Sequence, residues 1–208
     1  MPQGLPTAFT SDGLLPTGDY EVTLPELRAS MLVIGPLLAI EGWDAEHRLD
    51  LVNNLDVLVN QLWDVGITEI YIDGSFTTHK IHPDDIDGYF VCQRREFKSG
   101  MLQARLNGLD PHRVWTWESA ARRPVGNFKR PQLPMWHQYH VELHPHYTEG
   151  FGAPPIAGHD RNRQPLDFPA FFRQDKDTGK AKGIVRIVKE DTQHDTDSGR
   201  ISPDKAAG

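Results

Sequence analysis

Residues 44–64 repeat their apolar side chains so regularly that the rest of the chain has to be read around them. Leu51, Leu55, Leu58 and Leu62 fall three or four residues apart, and Val52, Val59 and Trp63 widen the stripe, which predicts an amphipathic helix. Asp44 suits its N-cap and Gly66 its end. Such a face has to be buried, and strand patterns lie at hand: ITEIYI at 67–72, residues 86–92, YHVEL at 139–143 and KGIVRIVKE at 182–190.

Shorter pieces fill the gaps. TLPE at 23–26 has the form of a capping box, with Pro25 tolerated in the first turn of a short helix. MLVIGPLLAI at 31–40 is half a membrane span, broken by Gly35 and Pro36, and reads as core or strand material. Residues 94–106 read as a charged amphipathic helix, and PLDFPAFFRQD at 165–175 as an aromatic docking helix. Residues 1–19 suit an extended arm, about 107–136 an irregular insertion rich in Pro, Gly and basic residues, and 191–208 a disordered tail. Residues 20–190 are then one domain, as a length of 208 favours.

A net charge of -7 argues against a broad basic surface for duplex nucleic acid. The lone Cys92 excludes an intramolecular disulfide and a Cys-rich zinc framework, and reads as a small buried hydrophobe. With neither a secretory signal pattern nor a membrane-length apolar run, the expected location is cytoplasmic.

The chemistry concentrates in YIDGSFTTHKIHPDDIDGYF, residues 71–90. On a strand, Asp85 and Asp87 point the same way while Ile86 faces the packed side. Two like charges in one small volume raise a pKa unless a cation lies between them, and oxygen ligands so spaced suit a hard ion such as magnesium. Gly74 allows a tight turn and close approach to a ligand, and Ser75 sits where a short helix can start, offering amide hydrogens and a hydroxyl to phosphate. Asp73 and Asp84 read as turn-forming carboxylates.

The order of strand, Gly74-Ser75, short helix, then Asp85-x-Asp87 on the next strand resembles the signature of the polymerase-beta-like nucleotidyltransferase superfamily. The resemblance is most specific over residues 67–91 and extends loosely over 44–144. It implies an α/β (α+β) fold, a small mixed β-sheet flanked by helices. It further implies that Asp85 and Asp87 hold Mg2+ (or Mn2+) and that a third carboxylate on a later strand completes the site. Glu142 in YHVEL is the candidate, with His140 and His144 expected on its strand face. The implied reaction transfers a nucleoside monophosphate from a nucleoside triphosphate to a small-molecule, protein or RNA acceptor; the acidic charge favours the first two, and the basic insertion keeps RNA open.

The chain departs from that pattern in two places. FTTHK follows the Gly-Ser where many members have Arg, so Lys80 is the expected phosphate contact beside Gly74 and Ser75. Gly88-Tyr89 interrupts the apolar strand and reads as a bulge or a close backbone contact. Both keep open a second reading, a catalytically reduced binding or regulatory protein acting as an antitoxin- or defence-type partner. A third weighs His137, His140, His144 and His146 as zinc ligands against scattered pocket or surface histidines. Trp115 and Trp117 are a stacking surface or core, and AARRPVGNFKRP a phosphate-binding or merely solvated run.

Overall fold

The computed structural model describes residues 4–126, 128–148 and 153–190. In chain order the elements are β1 (Asp19–Val22), α1 (Leu24–Arg28), α2 (Met31–Ile34), α3 (Ala45–Asp64), β2 (Ile70–Asp73), a 3-10 turn (Gly74–Thr77), β3 (Ile86–Val91), α4 (Arg94–Lys98), α5 (Met101–Leu109), a second 3-10 turn (Ser119–Ala121), β4 (Arg123–Val125), β5 (Phe128–Gln132), α6 (Pro134–Tyr139), β6 (Val141–His146), β7 (Ile156–His159), β8 (Pro165–Asp167), α7 (Phe168–Phe172) and β9 (Ile184–Ile187). Five strands form one mixed sheet in the order β1-β9-β2-β3-β6, with β1–β9 and β3–β6 parallel and the two central pairings antiparallel. The chain has the expected α/β (α+β) architecture of a small mixed sheet flanked by helices.

α3 is the expected helix, capped by the Asp44 side chain accepting from the His47 N–H at 3.0 Å. Its Leu51, Leu55, Leu58 and Leu62 share one core with Ile70, Ile72, Ile86, Phe90, Val141, Leu143, Val185 and Ile187. Fully burying each leucine stabilises the fold by about 1.5–3 kcal/mol. The other sheet face carries a smaller cluster, Tyr89 and Ile184 beneath Phe168 and Phe172 of α7. The space beside that cluster, toward the first residues of β3, is where the polar residues gather.

One local expectation holds and several others change with tertiary context. The capping box forms, with Thr23 and Glu26 exchanging hydrogen bonds. Residues 31–34 are helix, not strand, with Met31, Leu32 and Val33 in the core as the other alternative had it, and the backbone then turns at Gly35 with φ 98°, leaving Leu37 and Leu38 exposed. Gly100, at φ 76°, divides 94–106 into α4 and α5. The third strand starts at Val141, because Tyr139 ends α6 and His140 adopts the left-handed conformation that terminates it. Residues 107–136 are not peripheral: Val114, Trp115, Leu133 and Met135 are buried. Trp115 donates to the Gln61 Oε1 at 2.6 Å and Trp117 to the Leu143 carbonyl at 2.8 Å, so both tryptophans are packing residues. Leu14 and Leu15 are buried and Leu14 bridges to Thr78, so the N-terminal segment packs before β1 begins. The tail expected disordered, 191–208, lies outside the described residues. Among them, no helix is long and apolar enough to cross a membrane.

Candidate functional site

Strand register brings acids together. The antiparallel β2–β3 ladder pairs Asp73 with Asp87, and the parallel β3–β6 ladder pairs Asp87 with Glu142. Directly paired residues share a sheet face, so these carboxylates form one row across three strands, with Asp87 in the middle. Asp85, just before β3, borders the same cleft, a volume of about 1220 Å³ that also takes in Gly74, Ser75 and Lys80. All six residues singled out in the sequence therefore line one space.

The ends of the row are compensated. Buried Asp73 pairs with Lys182 at 2.9 Å and accepts from the Thr77 hydroxyl at 2.6 Å, yet burial still pushes it up to about 6. Burial also pushes Glu142 upward, but the hydrogen bond from His144, the Leu133 N–H at 2.9 Å and the nearby charges of His144 and Arg122 outweigh it and hold the carboxyl below its ordinary range. Arg122 lies 3.3 Å and His144 3.4 Å from that carboxylate.

The middle is not compensated. Neither Asp85 nor Asp87 forms an ion pair among the described residues. Burial raises Asp85, with Asp84 and Glu142 adding to it, against a 2.8 Å hydrogen bond from the Trp136 indole. Asp87 is raised well above the carboxylate range, first by burial and then by the charges of Asp85, Glu142 and Asp73. Among the described residues no cation touches either carboxylate, and Lys80 and Lys176 only partly offset the two from a distance.

The Gly74-Ser75 turn abuts these acids. Gly74 has φ 78°, and a Cβ there would stand 2.5 Å from the Asp87 Oδ2, so only glycine lets the turn lie against the carboxylate. Ser75 falls in the first 3-10 turn and borders the cleft. Gly88 resolves to a close contact and not a bulge: its ladders run unbroken on both sides, and a Cβ would meet the Tyr71 carbonyl at 2.3 Å. Lys80 reaches the cleft edge half-exposed and paired with Asp84.

Hydrated magnesium is commonly held by one or two carboxylates, with waters and substrate phosphates completing its shell, and Asp85 with Asp87 fit that role. A three-ligand cage is not assembled, since among the described residues no three of His, Cys, Asp and Glu are grouped to hold a metal. Glu142 has its oxygens engaged by Arg122, Leu133 and His144. The four histidines do not converge. His137 meets the Arg123 carbonyl and His140 the Asp84 carbonyl, His144 stacks on Phe168, and His146 is buried edge-on to Tyr89. His140, as the cap of α6, does not share the Glu142 strand face.

A model of one protein family matches residues 7–188. The chain belongs to that family, DUF6932, a family of unknown function. No curated protein matches it, and no solved structure does. Every cleft residue named above lies within the span matched by DUF6932.

Three parts of this DUF6932 site escape sequence reasoning. Lys182 arrives from just before β9, and only the sheet order brings it beside Asp73. Arg122 lies in the basic run, whose charge is plain in the sequence but whose target, Glu142, depends on the fold. Arg48 sits on the buried stripe of α3, where its guanidinium donates to the carbonyls of Leu32 at 2.7 Å, Phe76 at 2.8 Å and Thr78 at 3.1 Å, and to that of Lys80. An arginine in a leucine stripe is the one available signal: a buried guanidinium needs acceptors, and the loop after Gly74 supplies them.

Proposed function

We propose that this DUF6932 protein is a magnesium-dependent nucleotidyltransferase, moving a nucleoside monophosphate from a nucleoside triphosphate to an acceptor oxygen with release of pyrophosphate. The observation that carries the reading is the uncompensated pair Asp85 and Asp87, set between two compensated carboxylates and against the glycine-serine turn. Magnesium, or manganese, held by the two aspartates would supply positive charge to offset that of the phosphates. Gly74 keeps the turn free of a side chain beside Asp87, Ser75 offers its hydroxyl and amide, and Lys80 adds a cation at the rim. On this reading Glu142, kept ionised by its neighbours, would exchange one of its present contacts for the acceptor hydroxyl and take its proton as that oxygen bonds to phosphorus and pyrophosphate leaves.

The cleft can hold a triphosphate and part of an acceptor, and the net charge of -7 favours a small molecule or a protein over RNA. A single cysteine suits a cytoplasmic setting. Purified protein with magnesium, labelled triphosphates and cell extract should transfer label to an acceptor. Asp85→Asn and Asp87→Asn should each cut that transfer on the order of a hundredfold or more, while the unfolding temperature stays near that of wild type. Absence of transfer with all four triphosphates would exclude the activity.

One observation favours a second reading, a nucleotidyltransferase fold kept for binding or regulation of a protein partner, as in an antitoxin or defence pair. Glu142, the third carboxylate, is tied up by Arg122 and the Leu133 N–H. On this reading Asp85→Asn leaves the cellular effect intact, whereas the enzymatic reading requires its loss.

A further inference from the structure

We propose that Lys182 is the principal cation that recognises phosphate in this cleft, presented to the ligand by Asp73 and the Gly74 carbonyl. The inference rests on the triphosphate-binding reading above and assigns to it a residue that the sequence motif does not contain.

Lys182 is 6 % exposed, and its side chain borders the cleft at the Gly74 turn. Its ammonium nitrogen lies 2.9 Å from the Asp73 Oδ1 and donates to the Gly74 carbonyl at 3.2 Å. An ammonium carries three N–H groups, so these two contacts leave one for whatever occupies the cleft. Asp175 also feels the Lys182 charge, but its Oδ1 already accepts from the Thr178 N–H at 2.7 Å and the Thr178 hydroxyl at 2.6 Å.

The geometry of the pair explains why a lysine is kept buried there. A buried ammonium without a partner is costly, and Asp73 offsets that cost. The same two contacts fix the ammonium against the backbone of the turn that carries Ser75, so ligand binding need not order a long side chain. Lys80 contrasts in both respects. Its side chain is 42 % exposed and its partner Asp84 43 %, so water and salt screen its charge, and it has to be immobilised on binding.

Calorimetry with three probes, each in the presence of magnesium, tests the assignment: ATP, inorganic tripolyphosphate and adenosine. Because Lys182→Met alone strands a buried carboxylate, the paired variant Asp73→Asn with Lys182→Met is the cleaner replacement, its fold checked by circular dichroism. It should bind ATP and tripolyphosphate about tenfold more weakly or worse, as expected for losing one charge-assisted hydrogen bond. Adenosine binding should not change. Asp73→Asn alone, which leaves the Lys182 charge uncountered, should bind tripolyphosphate at least as tightly as wild type, and Lys80→Met should lose less than the paired variant. If the paired variant keeps wild-type affinity for tripolyphosphate, or loses adenosine to the same degree as ATP, the role of Lys182 is overturned while the nucleotidyltransferase reading stands. If wild type binds neither ATP nor tripolyphosphate, both fall.

Discussion

Gly74 and Gly66 make a controlled pair for what a single atom does at this site. Both have positive φ, 78° and 86°, but a Cβ at Gly66 meets nothing within 4 Å, whereas at Gly74 it runs into Asp87. Gly66→Ala should therefore cost only the backbone strain, about 1 kcal/mol, and Gly74→Ala about 1–3 kcal/mol more, with the Asp87 carboxylate displaced. Urea unfolding of the two variants measures the difference; equal losses would mean that the Gly74 contact carries no constraint. A second residue, Asp110, ties distant segments together through Gln61, Tyr139 and the N–H groups of His112 and Val114. Burial pushes its carboxyl up, but those hydrogen bonds outweigh burial and hold it below its usual value. Its contribution is then fully present above the unfolded-state pKa near 4 and is lost as pH falls through the lower folded-state value. Asp110→Asn should be less stable than wild type at pH 7, and the gap should close as the solution is taken below pH 4, which urea titrations at several pH values would follow. At this scale the sequence was informative where neighbours in sequence are neighbours in space. Asp85, Asp87, Gly74 and Ser75 are within one hairpin, so their proximity could be read directly. Lys182 could not, because no local pattern records a pairing with Asp73 across the sheet.

At the scale of elements, α3 does two jobs that its pattern announced unequally. Its leucine stripe was legible because burial and periodicity coincide, and the structure keeps the helix intact from Ala45 to Asp64. Arg48 was not, since its partners are loop carbonyls on residues 76–80 and in α2. Methionine there would leave these carbonyls buried without donors, at a cost of about 3 kcal/mol or more. Lysine should not rescue, because one ammonium cannot replace a planar fork that spans several acceptors. Thermal unfolding of Arg48→Met and Arg48→Lys, with hydrogen exchange at residues 74–80, would show whether the loop loosens ahead of the fold. Other elements depart from their local pattern for identifiable reasons. Gly100 could have been tolerated within a helix but instead ends α4, and His140 takes a positive φ that its residue type does not advertise. YHVEL alternates well enough for a strand throughout, yet packing of Met135, Trp136 and Tyr139 draws its first two residues into α6 and its cap.

For the molecule as a whole, the decisive feature is where β9 lies. The last strand among the described residues is inserted between the first of them, β1, and β2, with parallel pairing on one side and antiparallel on the other. Strand content at 184–187 was visible in the alternation of KGIVRIVKE, but its neighbours were not, because pairing partners carry no complementary code in sequence. Ending the chain after Ala181 should remove the joint between β1 and β2 and abolish cooperative unfolding; a sharp urea transition in that truncated protein would contradict the topology. The same insertion sets an order of events during synthesis. The β2–β3 hairpin and α3 can meet early, being close along the chain, whereas β1 waits for its partner among the described residues, 184–187, to emerge, and such long-range closure is slow. Because Lys182 emerges immediately before that closing strand, a ribosome-bound nascent chain can present both aspartates well before Asp73 has its lysine partner. Charge balance in the cleft and completion of the sheet then become a single late step.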